Sequence, residues 1–254
     1  MPIDHYYRTL DVTCICMTHG RPWLLAEAVE SFRRQRLDDL TAELLILNDC
    51  PEQELVCNVP GVLVVNLPEW IPDLSRKTNL ALRLAHGRYS CLWDDDDISL
   101  PDRITDGVRR MDGTLAYRPT MCWSWGCGEI RHMGQPLLCA GMFDTAHAVE
   151  SGGCVEGEWN DKTLWDKFWP TGNVVQYAPK PHEAQYIYRW AGIGWHESGS
   201  GEQDASVRAA AFRKAAVNDG RFTPGIVEVV SGWNQDYPGL VRQAIAQGKG
   251  DVKK

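Results

Sequence analysis

Tyr89-Ser-Cys-Leu-Trp-Asp-Asp-Asp-Asp-Ile-Ser-Leu-Pro-Asp-Arg103 is the stretch that decides the fold of this chain. Residues 89–93 read as a buried strand that stops at four consecutive carboxylates, Asp94 to Asp97. Crowding that much negative charge into one turn is costly unless a cation shares it. On an extended segment, Asp94 and Asp96 project to the same side and can hold one hard divalent ion. In open α/β sheets, ligands bind just beyond the carboxyl ends of the strands, where this run falls. The alternative is a solvated helix N-terminus, a position Asp also favours. Mg²⁺ or Mn²⁺ held by one or two carboxylates keeps positions open for phosphate oxygens, so the run points to chemistry on a diphosphate.

The flanking sequence supplies the rest of the sheet. Asp11–Met17 is a β-rich run, Thr18-His-Gly-Arg21 a turn, and Pro22 opens a helix with Leu25, Ala28, Val29 and Phe32 at helical spacing. Glu43–Asn48 and Gly61–Asn66 read as further strands. Asp73 is placed to cap a helix that runs through Leu84 and that Gly87 stops. Pro101 starts another, with Ile104, Val108 and Met111 on one face. Mostly apolar strands alternating with helices over residues 1–112 predict a doubly wound, mostly parallel α/β sheet.

Beyond residue 112 the pattern changes. Short strands at Thr114–Tyr117, Met121–Trp125, Pro136–Phe143, Asn173–Ala178 and Gln185–Trp190 alternate with short helices near Asp144 and Asp161. Residues 113–248 are therefore expected to extend the same sheet in mixed fashion. The Ala-rich stretch 205–217 is expected to be helical, and 249–254 a disordered tail.

Composition narrows the class. The chain has 254 residues, 44% of them hydrophobic and 24% charged, as in ordinary soluble proteins. No apolar run reaches the roughly 18 residues of a membrane span, and no leader is evident, so a cytoplasmic location is expected. Nine cysteines, an odd number without a CxxC pair, read as reduced core thiols. A net charge of −8 opposes a surface built for non-specific nucleic-acid binding. Basic clusters remain at Arg33-Arg34-Gln35-Arg36, Arg109-Arg110 and Lys249–Lys254. Most of the eleven tryptophans, among them Trp123, Trp125, Trp165 and Trp169, are expected to fill cores, although such rings also pack on sugars and bases.

Four segments in order resemble the family 2 glycosyltransferases of GT-A fold. Val12-Thr-Cys-Ile-Cys-Met-Thr-His-Gly-Arg-Pro22 is similar to the family's opening strand and Thr-x-x-Arg-Pro turn. Leu45-Ile-Leu-Asn-Asp-Cys50 is similar to its second strand, though it departs from the usual Asp-Asp-Gly-Ser ending. Lys77-Thr-Asn-Leu-Ala-Leu82 resembles its Asn-containing helix, and Leu92–Asp102 its DxD segment with the following Leu-Pro-Asp. The resemblance implies that Thr18 and Arg21 line the nucleotide pocket and that Asp49 accepts hydrogen bonds from the base or ribose. It implies donor contacts from Arg76, Lys77, Asn79 and Asp95, with Arg76 or Lys77 at the diphosphate. Asp94 and Asp96 would bind Mn²⁺ or Mg²⁺, and the donor would be a nucleotide sugar of the UDP kind.

For the second half, Glu158-Trp-Asn-Asp-Lys-Thr-Leu-Trp-Asp166 resembles the family's Glu-Asp motif at a helix start. Inverting transfer needs a carboxylate to take the acceptor hydroxyl's proton, which implies Asp161, then Glu158. Simple helix capping by Asn160 or Asp161 is the alternative. Tyr186–Trp190 and Trp195–Gly199 resemble a late aromatic strand and loop, where His196 would complete the metal site or touch the diphosphate. Gly192, Gly194, Gly199 and Gly201 would let that loop close. Small stand-alone members of this pattern resemble phage enzymes that glycosylate a hydroxymethylated pyrimidine, 5-hydroxymethylcytosine, in DNA. That acceptor, in the host cytoplasm, is one expectation; a saccharide or cell-surface glycan is the alternative. A sugar nucleotidylyltransferase would need a longer Gly-rich, Arg-containing phosphate loop than Thr18–Arg21 offers. A non-catalytic binding module leaves the Asp run unexplained.

Overall fold

The computed structural model describes residues 9–126, 128–134, 139–158, 160–189, 217–218 and 220–249. Strand β1 (Leu10–Thr18) is buried along most of its length, and Pro22 at the first helical position sets the start of α1 (Pro22–Arg33). Then come β2 (Ala42–Asn48), the short β3 (Gln53–Val56) and β4 (Val62–Asn66). Asp73 accepts from the amides of Ser75 at 2.9 Å and Arg76 at 3.3 Å, and so caps α2 (Leu74–Leu84).

Gly87 has a different role from the helix stop expected of it. It opens β5 (Gly87–Leu92), and a Cβ there would lie 2.3 Å from the Thr13 backbone nitrogen. Only a glycine lets β1 pass this closely.

After β5 come β6 (Ile98–Ser99) and α3 (Arg103–Arg110), which begins two residues later than Pro101 suggested. The second half holds β7 (Ala116–Pro119), β8 (Met121–Gly126), β9 (Glu129–Gly134), β10 (Met142–Asp144), α4 (Thr145–Glu150) and α5 (Asn160–Trp165). It continues with β11 (Val174–Tyr177), β12 (Tyr186–Arg189), β13 (Gly225–Glu228) and α6 (Tyr237–Ala246).

The main sheet has seven strands in the order β11-β7-β10-β5-β1-β2-β4, and only β10 runs antiparallel to its neighbours. One apolar cluster joins α1 and α3 to the sheet, through Leu25, Val29, Phe32 and Ile104. Another joins α2, α4 and α5, through Ala81, Leu82, Ala148, Leu164 and Trp165.

The second half extends this sheet only in part. β6, β12, β8 and β9 form a separate four-stranded sheet, and β13 pairs with β3 in a two-stranded ribbon. β9 alternates exposed and buried residues, the pattern of a sheet with one wet face, so it does not suit the covered main sheet. A third apolar cluster, with Trp123, Ile187, Tyr237 and Val241, packs α6 on that small sheet. No helix among the described residues is long and apolar enough to cross a membrane. Every described cysteine is free, most of them buried. The stretch 205–216 and residues 250–254 lie outside the described residues.

Candidate active site

The four aspartates follow β5 at the carboxyl end of the parallel strands. The chain is anchored one residue past the strand: the Trp93 amide donates to Ile15 O at 2.7 Å, and its indole donates to Ala28 O of α1 at 3.0 Å. The chain then turns instead of staying extended, because neighbouring carboxylates are drawn to different partners. Asp95 accepts from Thr18 Oγ1 at 2.6 Å and from Arg21, whose Nη1 also reaches Asp96 at 3.2 Å. Asp97 accepts from Tyr186 Oη at 2.6 Å and from the Arg189 amide at 2.7 Å. Asp94 accepts from the same Tyr186 hydroxyl at 3.0 Å. The expectation that Asp94 and Asp96 share one face of an extended segment is therefore corrected; each faces its own neighbours across a turn.

Burial pushes the Asp97 carboxyl well up, and the charges of Asp96 and Asp94 add to it. Burial also raises Asp95, against the pull of Arg21. One ligand atom each from Asp94, Asp97 and Cys139 lies within 4.8 Å of the others. The oxygens suit a hard ion such as Mg²⁺ or Mn²⁺; the Cys139 thiol is softer and held protonated by burial, then by Asp94 and Asp97. Asp94 is half-buried while Asp95, Asp96 and Asp97 are buried, so its oxygens are the most open to an ion. The donor set thus fits a hard divalent ion.

Asp49 emerges at the end of β2. The Asn48 side chain ties that end down through Gln53 O at 2.8 Å and Asn66 Oδ1 at 2.9 Å. Asp49 Oδ1 meets His19 Nδ1 at 2.9 Å and Lys77 Nζ at 2.8 Å, and Oδ2 accepts from the Ile71 amide at 3.1 Å. Burial alone would raise this carboxyl, but the His19 bond and the Lys77 charge outweigh it and hold the group below its usual range. Lys77 is only 3% exposed and also donates to Thr18 O at 2.8 Å, so it joins α2 to the ends of β1 and β2. Arg76, one residue earlier, is exposed. Asn79 is engaged elsewhere: it exchanges hydrogen bonds with the Cys154 backbone at 2.7 and 2.9 Å. Gly153, at φ +67°, makes room for it, since a Cβ there would come 2.2 Å from Asn79 Oδ1.

Beside this group stands Trp70, 41% exposed, with its ring 5.5 Å from that of His19. Neither residue was singled out from the sequence. The signal for Trp70 was an aromatic between the turn prolines of Leu67-Pro-Glu-Trp-Ile-Pro72.

Asp161 lies in the first turn of α5. Asn160 docks that turn on α2 by donating to Thr78 Oγ1 at 3.1 Å, and Asp161 Oδ1 accepts from the Lys162 amide at 2.7 Å. Burial raises the Asp161 carboxyl, and the nearby Asp94 charge raises it further. Asp161 is thus close enough to Asp94 to feel its charge. Glu158 is exposed and its charge is felt at Lys162 instead, while its carbonyl accepts from Ser75 Oγ at 2.7 Å. His196, Trp159, Trp190, Trp195 and the glycines of the late loop lie outside the described residues. Trp123 and Trp165 are core residues, as expected.

The two arginine clusters are set against carboxylates, whereas Lys249–Lys254 lies outside the described residues except for Lys249. Arg33 and Arg34 bind Glu30 at 2.7 and 2.5 Å, Arg36 binds Asp102 at 2.8 Å, and Arg110 binds Asp106 at 3.0 Å. Arg34 also lies 4.4 Å from the Trp233 ring centre.

A mostly parallel sheet with aspartates gathered at its carboxyl edge is the GT-A arrangement. Residues 13–134 match the family described as Glycosyl transferase family 2. Among solved structures, the fold is similar to S. aureus TarS 1–349 in complex with UDP-GlcNAc (16% identity, TM-score 0.61, 82% of this chain and 66% of that chain). It is similar to the same TarS fragment with UDP (13%, 0.58, 72% and 61%). It is also similar to the mannosyltransferase PcManGT from Pyrobaculum calidifontis in complex with GDP-Man and Mn²⁺ (14%, 0.54, 96% and 80%). The chain thus spans less than two thirds of the TarS fragment. No curated protein matches the sequence significantly.

Proposed function

We propose that this protein transfers a sugar from a nucleotide-sugar donor to a hydroxyl of a saccharide or glycan acceptor, with inversion at the anomeric carbon. The observation that carries the proposal is the gathering of Asp94 to Asp97 at the carboxyl end of the parallel strands, with Asp161 near enough for the Asp94 charge to raise its carboxyl. Asp49, with His19 and the open face of Trp70, offers hydrogen bonds and an aromatic surface to a nucleobase. A Mn²⁺ or Mg²⁺ ion held at the Asp turn, where Asp94 is the most open carboxylate and Asp97 lies within reach of the same ion, would neutralise the diphosphate leaving group. Arg21 and Thr18 hold the turn that carries these groups. Asp161 takes the proton of the attacking hydroxyl, and its raised proton affinity suits that task.

The DNA-base acceptor finds less support. The arginines that would track a phosphate backbone already face carboxylates, and the solved structures named above carry UDP-GlcNAc, UDP or GDP-Man. The test is incubation with UDP- and GDP-sugars and Mn²⁺, with oligosaccharides or hydroxymethylated DNA as acceptor, followed by mass spectrometry. A hexose mass added to a saccharide is the expected result. Transfer to the DNA alone would replace the acceptor reading, and no transfer or donor hydrolysis under any condition would overturn the activity.

A further inference from the structure

Glu27 of α1 has no role in the chemistry above, yet its carboxylate is only 2% exposed and surrounded by donors. Arg189 Nη1 donates to Oε2 at 2.5 Å, while Tyr237 Oη at 2.7 Å and the Asn234 amide at 3.1 Å donate to Oε1. Arg189 ends β12 and is equally buried. From there it reaches the Asp turn twice: its Nε donates to the Asp96 carbonyl, and its backbone amide donates to Asp97 Oδ1 at 2.7 Å. A continuous run of hydrogen bonds therefore connects α1 and the start of α6 to the two inner aspartates.

Packing does not require this arrangement. Desolvating both charges costs about as much as their attraction returns, and apolar side chains of similar volume commonly hold such an interface as well or better. An apolar pair could not hold a carbonyl and a turn in one orientation. Asp96 is gripped at both ends, by Arg21 at the carboxylate and by Arg189 at the carbonyl. Arg189 is in turn kept from swinging by Glu27.

We infer that Glu27 is a positioning residue for the Asp turn, acting through the Arg189 side chain on the Asp96 carbonyl and so fixing the turn that presents Asp94 and Asp97 to the divalent ion. The inference rests on the donor site proposed above. Groups that orient metal ligands from behind typically change metal affinity by about 10–100-fold when removed.

The test is Mn²⁺ binding, measured by titration calorimetry and electron paramagnetic resonance with UDP or GDP present, beside a thermal melt of each variant. Glu27→Gln should weaken Mn²⁺ binding by about 10-fold or more. Because that variant leaves the Arg189 charge buried without its partner, a second variant, Glu27→Met with Arg189→Met, restores an apolar fit. It should melt near the parent temperature and still bind Mn²⁺ weakly. Parental Mn²⁺ affinity in either folded variant would overturn the positioning role and leave the donor site standing. If the parent protein itself binds no Mn²⁺ with either nucleotide, the donor site fails, and the positioning role falls with it.

Discussion

Asp161 and Asp97 are both carboxyls that burial pushes up, but with different consequences. Asp161→Asn keeps the shape of the first turn of α5 and removes only the proton acceptor. Turnover should fall by roughly 10²–10⁴-fold, the usual size of a lost general base, with donor affinity unchanged in a binding titration. Near-parental turnover would move the base elsewhere, and Glu158 is badly placed to supply it. Asp97 sets a pH dependence of stability. An unfolded Asp titrates near about 3.9, whereas folded Asp97, Asp95 and Asp161 hold their protons to higher pH. Between those values the folded state binds protons that the unfolded state has lost, so stability falls as pH rises. Asp49 and Glu30 are shifted the other way, and their contribution is lost only as pH drops through the acidic carboxylate range. As pH falls from neutral through the raised range of these carboxyls, the metal-free protein should therefore melt at a higher temperature, and Asp97→Asn should flatten the trend. A metal-free melting temperature that does not change with pH would show that these carboxyls are not shifted.

Among the elements, the strands with several apolar residues were legible in the sequence, including the short β8, β11 and β12, and the shortest polar ones were not. β1, β2 and β4 carry enough apolar residues to declare themselves, β5 is marked by the aspartates that follow it, and Pro22 and Asp73 mark helix starts by known backbone preferences. β3, β6 and β13 carry at most two apolar residues each, too few to mark a strand. Their pairing depends on partners distant in sequence, as when Gly225 of β13 meets Gln53 of β3. The site divides the same way. Asp49, the Asp turn and Asp161 could be named from local motifs, but Glu27, Tyr237 and Cys139 come to the site only through the fold. Gly87 shows how a correct residue can carry a wrong reason. The close pass of β5 against β1 makes a strong prediction: Gly87→Ala should cost about 1–3 kcal/mol in urea unfolding, because the added methyl meets backbone that has nowhere to move. A smaller cost would mean that the strand pair relaxes apart.

At the scale of the whole molecule, the open question is what meets the sugar. The chain carries −8 net charge, and its arginine-rich helix ends are each set against an acid of the same or a neighbouring helix. Exposed pairs of this kind contribute little to stability, but they do cancel the local field that would draw in a polyanion. A duplex acceptor requires several phosphate contacts, and each one released by salt lowers affinity, so transfer would fall by orders of magnitude between about 50 and 200 mM salt. A neutral saccharide makes no such contacts. Transfer by this protein should therefore change little over that range once Mn²⁺ and donor are saturating. Replacing Arg33, Arg34 and Arg36 together by Ala should likewise leave the acceptor KM unchanged, since these side chains are occupied with Glu30 and Asp102. A steep salt response accompanied by a raised KM in the triple variant would point back to a nucleic-acid acceptor. A steep response without the KM change would place the phosphate contacts elsewhere on the chain. In both cases Asp161 and the Asp turn would keep the chemistry assigned to them, because donor and base belong to the sheet edge whatever hydroxyl arrives.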